Sequence, residues 1–388
     1  IFALSGEKLV EVRGTPGSYQ LWVNESQLSN TLGYAQPLYG QSGLQSSQYA
    51  LLRGYAGVPF EQRWQHELLF NQPPPGLDIK LNINMTLQNK ADELLGGHKG
   101  AVVLSNAQTG EIYAIASHPS FNANTLDETW ESLLQRTDAP LLNRATQGAY
   151  PLGTLASTVA YGSLKQSNHA FELNTSQDFF KLDPFCYSAM QNAGATLNAL
   201  QFGCQSVSER ILSATDPAIL QADLEASGIF SAPDLAVETA QPAQILTTEQ
   251  LDQDPLQVMD INVSPIQMAM VAATISNNGA RPAPALVNSY LTPEGSWQAL
   301  GPAKTVAVVH TPSLAAEIQS ELRSSNQTIW YQVGHALING QEPLTWYIGG
   351  TTPDWSATPL AIAVAIEDDA SKLALDIGNT LLNLSVSP

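Results

Sequence analysis

Two hydroxyl residues three positions apart, Thr154 and Ser157, sit in the stretch Pro140–Ala160, which reads PLLNRATQGAYPLGTLASTVA. They follow a turn set by Pro151 and Gly153, and in a helix starting there they would share one face, a turn apart. A threonine hydroxyl can attack a carbonyl in principle. Its extra methyl restricts χ1 and crowds the approach. A serine one turn on has a pKa far above neutrality and cannot take the proton. The absence of a base costs on the order of 10²–10⁴ in rate. Read structurally, Thr154 is a residue capping a helix N-terminus. Other chemistry is sparse. The histidines (His66, His98, His118, His169, His310, His335) show no metal spacing, and CxxC, HExxH, G-x-x-x-x-G-K-[ST] and a G-x-G-x-x-G after a strand are all absent from the sequence. Cys186 and Cys204 are the two cysteines; a disulfide closing a small loop and a pair of buried thiols are both open readings.

At 388 residues the chain is too long for one ordinary core, which predicts two domains. Hydrophobic content of 44% suffices for a large interior, and 16 Lys+Arg against 35 Asp+Glu give a net charge of −19. That balance argues against nucleic acid, whose binding needs clustered cations, and leaves no polybasic patch for anionic lipid. No run of about 18 apolar residues is present. The first residues, IFALSGEKLVEV, are too short and too soon polar for a signal peptide.

The elements that must position these groups are legible in part. Residues 1–75, rich in Gly, Ser, Gln and Tyr, read as small strands and loops with little helix, ended by the Pro73-Pro74-Pro75-Gly76 break. LDIKLNINMTLQNKADELL reads as a strand passing into a helix with Leu87, Ala91, Leu94 and Leu95 on one side. GAVVLSNAQTGEIYAIASHPSFNAN reads as two strands around a turn at Gln108-Thr109-Gly110. From about 155 to 255 short helices and polar loops are expected, among them ATDPAILQADLEASGIF, with Asp216 as N-cap and Gly228 as stop. LTWYIGGTTPDWSATPLAIAVAIEDD reads as strand, loop and strand. A last helix over about Ser371–Leu384 carries Leu373, Leu375, Ile377, Leu381 and Leu382 toward a sheet.

The order of these segments resembles class B penicillin-binding proteins. Leu32-Gly33-Tyr34, Gly40-Gln41-Ser42-Gly43-Leu44-Gln45 and the later Tyr49, Leu51, Leu52 and Gly54 are similar to the linker pattern GY…GxxGLE…y…LxG, with Gln45 where the family has glutamate. Leu81, Ile83, Leu87 and Gln88 match DvxLTIDxxLQ. Gly100-Ala101-Val102-Val103, Thr109-Gly110-Glu111-Ile112 and Pro119-Ser120-Phe121 match GAVVxxxxTGEIxAxxSxPSFdPN, and the likeness continues through Trp130 and Leu133 to Asn143-Arg144-Ala145. Pro265, Gln267, Met268, Ala269, Asn277 and Gly279 fit the family's TPLQMA…NGG helix and turn.

The resemblance implies an α+β fold: a transpeptidase, β-lactamase-like domain over 76–388, with an antiparallel five-stranded sheet between helices, after a smaller, mainly β linker or dimerisation domain over 1–75. The family's catalytic motifs are S-x-x-K, S-x-N and K-T-G. Alignment places Thr154 and Ser157 at the serine and lysine of the first. Gly203-Cys204-Gln205 stands at the second, where Gly203 removes the relay hydroxyl and Gln205 keeps an amide able to contact a peptide. His335-Ala336-Leu337 stands at the third, on an expected edge strand, with His335 able to carry part of a charge at mildly acidic pH. A lysine such as Lys165 or Lys181 in that cleft would reopen catalysis. The implied function is a catalytically inactive penicillin-binding-protein-like protein with a scaffolding role in bacterial cell-wall synthesis or division. The alternatives are an active peptidoglycan D,D-transpeptidase or carboxypeptidase using Thr154, and a non-catalytic peptidoglycan-binding protein. The expected partners are cell-wall synthesis or division proteins or the peptidoglycan stem peptide, with no cofactor and no metal. The expected location is extracytoplasmic, anchored to the cytoplasmic membrane by a segment ahead of Ile1, a setting that favours a Cys186–Cys204 disulfide.

Overall fold

The computed structural model describes residues 1–15, 19–70, 74–167, 183–193, 198–300, 305–323 and 328–384; Pro73, His169 and Lys181 lie outside the described residues. Five antiparallel strands form the middle layer: β1 (Gly100–Asn106), β2 (Ile112–His118), β3 (Ile329–Ile338), β4 (Glu342–Thr351) and β5 (Leu360–Ile366). Their order is β3-β4-β5-β1-β2, which leaves β3 at an edge. Every residue of β1 and β5 is buried, because helices cover both faces of the sheet. This is why both strands read as near-continuous small and branched apolar runs instead of alternating.

The helices that matter to the site are α1 (Met85–Leu95), α2 (Ala156–Gln166), α3 (Pro184–Ala193), α4 (Gln205–Ala214), α5 (Pro217–Ala226), α6 (Pro265–Ser276), α7 (Pro312–Leu322) and α8 (Ser371–Leu382). α1 and α8 pack together on one face. There the Tyr347 hydroxyl donates to Asn379 Oδ1 at 3.0 Å, and a Cβ on Gly378 would stand 2.2 Å from the Tyr347 ring. α6 covers the opposite face, where Trp330 Nε1 donates to Ser276 Oγ at 2.8 Å. Helix α6, PIQMAMVAATIS, is apolar nearly all round, as a helix buried on every side must be. α2, α4, α5 and α7 build the outer part of that side, with α2 packed against the other three.

Local chemistry sets the ends of these elements. Asp216 caps α5 by accepting from Ala218 N and Ile219 N, and Gly228, at φ +81°, lies just beyond its end. Asn106 Oδ1 accepts from Gln108 N and Thr109 N in the β1–β2 turn. Gly110 is required there: its φ is +74°, and a Cβ would meet the Ala283 carbonyl oxygen at 1.9 Å. α8 ends at Leu382, two residues short of the expected Leu384.

The first 70 residues hold more helix than strand, which corrects the expectation of a mainly β segment. Strands Val10–Arg13 and Gln20–Val23 form a hairpin, and two-residue strands pair at Ala35–Gln36 and Gly40–Gln41. Helices cover Ser29–Leu32, Gly43–Ser47, Tyr49–Leu52 and Phe60–Leu68. The last, FEQRWQHEL, is built mostly from helix formers. Leu28, Leu32 and Leu44 bury themselves in a core that runs without a break into the sheet domain. Main-chain bonds cross the same boundary, with Phe2 N donating to Ile79 O at 2.9 Å, and Asn30 Nδ2 donates to Pro140 O at 2.8 Å. Among the described residues no helix is long and apolar enough to cross a membrane.

A buried ion pair fastens the segment leading to Thr154 onto the end of β5. Arg144 Nε donates to Glu367 Oε1 at 2.6 Å, while Nη1 and Nη2 donate to the carbonyls of Ala139 and Asp138. The Tyr150 hydroxyl donates to the same Glu367 oxygen at 2.8 Å, and burial followed by the Glu367 charge pushes its pKa well above the ordinary phenol value. Removing one partner of such a pair strands the other charge in the interior. Glu367→Ala is therefore expected to cost about 3 kcal/mol, read as a lower urea midpoint at unchanged m-value. A loss too small to resolve would mean that the two carbonyls alone satisfy Arg144.

Candidate active-site cleft

The turn Gly153–Leu155 starts α2 and packs directly on the edge strand β3. Three glycines make this approach possible. A Cβ on Gly153 would meet His335 O at 2.0 Å, one on Gly203 would meet Val333 O at 2.4 Å and Thr154 Oγ1 at 2.7 Å, and one on Gly334 would meet Leu155 Cδ2 at 2.7 Å. Gly153 and Gly203 also hold positive φ, +54° and +59°. Between turn and strand lies a cavity of about 300 Å³. Thr154, Gly203, Gln205, His335, Ala336 and Leu337 all line it, so the expected motif positions converge; Ser157 does not line it. Asp183, Phe185, Met259 and Asp260 complete the walls, and no lysine or arginine is among the lining residues.

Thr154 is buried and does not cap the helix. Its Oγ1 accepts from the backbone N–H of His335 at 2.8 Å, in place of the helix N–H expected of an N-cap. The reason is geometric: an edge strand presents N–H groups with no strand partner, and a buried one must find an acceptor. The same need two residues earlier is met by Gln201 O, which accepts from Val333 N at 2.9 Å.

Ser157 lies fully buried below the turn. Its hydroxyl donates to Thr154 O at 2.7 Å and accepts from Gln332 Nε2 at 2.9 Å. Gln332 Nε2 also donates to Leu200 O at 2.8 Å, and its Oε1 accepts from the Thr158 hydroxyl. This neutral, fully bonded cluster packs beneath the Thr154 carbonyl. Lys165 points elsewhere, into an ion pair with Glu317 at 2.7 Å.

Gln332 is the residue that spacing along the strand missed. It, and not His335, faces Ser157 from β3. A signal was present: Gln332-Val333-Gly334 ends in a glycine, as K-T-G does, whereas His335-Ala336-Leu337 contains none.

His335 departs from the expected partly charged residue. It is 7% exposed, its ring stacks on Phe185 at 5.3 Å, and Nε2 has no hydrogen-bond partner. Burial lowers its pKa to about 4, against the opposing pull of Asp369 and Asp183. It is therefore neutral at mildly acidic pH and offers a carboxylate no charge.

The cleft walls are fastened to each other. A disulfide joins Cys186 of α3 to Cys204, with Cα atoms 4.8 Å apart. Asp183 caps both helices that meet there, Oδ1 accepting from Cys186 N at 3.1 Å and Oδ2 from Gln205 N at 2.6 Å. The Gln205 amide, expected to remain free for a peptide, donates to Glu209 Oε1 at 2.8 Å. On the other side, Trp346 Nε1 donates to Pro151 O at 2.9 Å.

Two predictions follow from these contacts. Gln332→Leu would leave Leu200 O and the Thr158 hydroxyl short of partners in the interior, costing about 2 kcal/mol or more in chemical denaturation. For His335, the unfolded ring binds a proton near pH 6.5 and the folded ring only near 4, so stability is lost as pH falls from 6.5 through 4. An NMR titration should place the His335 midpoint near 4, and His335→Gln should flatten that part of the stability profile. A midpoint at 6 or above would contradict the buried, neutral ring.

No family model matches the chain. Peptidoglycan D,D-transpeptidase PbpA of Mycolicibacterium smegmatis is 24% identical over 415 residues, covering 95% of this chain and 84% of that protein. Peptidoglycan D,D-transpeptidase MrdA of Acinetobacter baumannii is 36% identical over 138 residues, 33% of this chain and 20% of that protein. Among solved structures, penicillin-binding protein A from M. tuberculosis as its imipenem acyl-enzyme superposes with a TM-score of 0.80 at 20% identity, covering 98% of this chain and 96% of that one. The D,D-transpeptidase domain of a peptidoglycan glycosyltransferase from Eggerthella lenta gives 0.78 at 19% identity, covering 98% and 97%. The chain is thus homologous to class B penicillin-binding proteins and has the fold of their transpeptidase domain.

Proposed function

We propose that this chain is a catalytically inactive penicillin-binding-protein-like protein of the bacterial envelope, acting through protein contacts in cell-wall synthesis or division. In this reading residues 1–75 form the linker unit and 76–388 the transpeptidase-like unit. The observation that carries it is the Ser157–Gln332–Thr158 cluster beside Thr154. A family enzyme needs a lysine one turn after its nucleophile and a second on the facing strand. Here a hydroxyl and an amide fill those two places and satisfy each other. We read the third motif as beginning at Gln332, whose contact with Ser157 supports that register, so that in this reading the second lysine is exchanged for a neutral amide.

Support also comes from Thr154 itself. An alcohol nucleophile needs its proton accepted while its lone pair points at the carbonyl carbon. The Thr154 hydroxyl oxygen instead accepts the backbone N–H of His335, while the Thr154 carbonyl accepts from the Ser157 and Ser208 hydroxyls. The active alternative would need a base in contact with the Thr154 hydroxyl, and among the described residues no carboxylate or imidazole nitrogen is hydrogen-bonded to it. An extracytoplasmic location, as the relatives' peptidoglycan activity suggests, fits the Cys186–Cys204 disulfide.

The surviving cavity favours a second reading, a non-catalytic binder of wall peptides. Its walls argue for a narrow ligand range: Asp183 and Asp260 line it without a compensating cation, so a free carboxylate terminus is disfavoured.

A fluorescent penicillin tests the leading reading directly. No covalent label is expected on the folded chain after an incubation that saturates an active D,D-transpeptidase, and a label mapped by mass spectrometry to Thr154 would overturn it. Sedimentation with insoluble peptidoglycan separates the two inactive readings, because a scaffold remains in the supernatant and a binder does not.

A further inference from the structure

On the far side of α6 from the sheet, the end of α5 and the strand Ala280–Pro282 enclose a second cavity, of about 460 Å³. Its one basic lining residue is Arg281, half-buried, with a buried Nε that has no hydrogen-bond partner. Among the described residues no carboxylate stands within ion-pair distance of its guanidinium. Burial alone perturbs the group and lowers its pKa, with no acidic neighbour pulling the other way. In a chain with 35 acidic against 16 basic residues, Arg13, Lys90, Arg136, Arg144, Lys165 and Arg323 find carboxylates, whereas Arg281, like Lys8, Arg53, Arg63, Lys80, Lys99 and Lys372, pairs with none among the described residues. A scarcity of acids does not explain an unpaired arginine here.

The neighbouring backbone does not satisfy it either. Arg281 lies against Gly228, whose Cβ would be 2.0 Å from Nη1, at the C-terminal end of α5 where carbonyls commonly receive a cation. Those carbonyls are engaged elsewhere. Gln267 Nε2 collects Gly228 O, Ile229 O and Ser231 O at 3.0–3.1 Å, and Gln267 Oε1 is held by Ser264. The loop is therefore fixed with its acceptors turned toward α6 and away from the guanidinium. The rest of the lining joins apolar Met270, Pro233, Pro284 and Val306 to the polar Ser227, Ser231 and Gln267 and to one carboxylate, Asp234, which makes no ion pair with Arg281.

We propose that this cavity binds a small oxyanion carried on an apolar body, with its charged end on the Arg281 guanidinium and its apolar part along Met270 and Val306. A planar guanidinium presents parallel N–H donors that match a carboxylate or a phosphate group. An unpaired cation held in a preformed, half-buried setting has already lost part of its hydration, so an arriving anion regains interaction at a smaller desolvation cost. The inference does not depend on whether Thr154 is catalytic, since the cavity shares no lining residue with the cleft.

The test is a titration of the full chain followed by the Arg281 side-chain Nε–H resonance, using acetate, butyrate, hexanoate and inorganic phosphate as probes. Saturable shifts are expected, with affinity rising at least tenfold from acetate to hexanoate and lost in Arg281→Gln. Val306→Asp, which brings a competing carboxylate to the exposed rim, should weaken hexanoate at least fivefold while leaving the fold intact. Saturation by phosphate but by none of the carboxylates would retain the oxyanion site and assign it to phosphate-bearing ligands. A second variant guards against a purely structural role: Arg281→Met should melt no lower than the parent chain when no anion is present. The absence of any Arg281-dependent shift, or a marked fall in the Arg281→Met midpoint, overturns the proposal.

Discussion

An edge strand buried by the chain's own fold must have its outward N–H groups met, and the cleft is arranged around that requirement. β3 solves it with two unlike acceptors, the Gln201 carbonyl for Val333 and the Thr154 hydroxyl for His335. Both bonds demand that backbone approach backbone more closely than side chains allow, which fixes glycine at 153, 203 and 334. A serine at position 203 would bring its Cβ against both the Val333 carbonyl and the Thr154 hydroxyl. Glycine at 203 is thus required by packing around Thr154. The residue that looks like a nucleophile is, in this arrangement, a ligand for the strand.

The other substitutions are consistent with one another for the same physical reason. A lysine at position 157 or 332 would place an ammonium where exposure is zero and the available partners are hydroxyls, an amide and a carbonyl. Such a charge is tolerated only with a counter-charge or with water. Ser157, Thr158 and Gln332 avoid the problem by forming a closed neutral set in which each side-chain donor has an acceptor. His335 is driven the same way, toward its uncharged form, by the Phe185 ring and the strand around it. Neutrality at all of these positions keeps the interface between turn and strand compact.

Much of the scaffold was legible because its signals are local. Asp216 before Pro217 and Gly228 after the helix mark α5, and Asn106 with Gly110 marks the β1–β2 turn. PIQMAMVAATIS is too uniformly apolar to be anything but an interior helix. The misses involve tertiary facts. Thr154 read as a cap because a hydroxyl at a helix start usually serves the helix, and the competing N–H comes from a strand 181 residues away. His335 read as a charge-bearing strand residue because nothing nearby in sequence predicts the Phe185 ring above it. The helix Phe60–Leu68 was hidden by a Gly- and Ser-rich context, although FEQRWQHEL itself favours a helix.

Electrostatics weighs against an anionic ligand in the cleft. A carboxylate-terminated peptide approaching this cleft meets Asp183 and Asp260, finds no cation among the lining residues, and does so in the field of a chain carrying −19. Each close like-charge pair at a surface-like dielectric opposes binding by a few kcal/mol before screening. The hydrogen bonds of a surviving pocket would have to exceed that penalty, yet Gln205 and the His335 N–H are already committed within the protein. The disulfide and the Asp183 caps meanwhile hold the walls at their present spacing, so the pocket cannot easily rearrange to recruit a cation from elsewhere. The cleft thus combines walls held at a fixed spacing with a lining that disfavours an anion, beside an unbroken hydrophobic core.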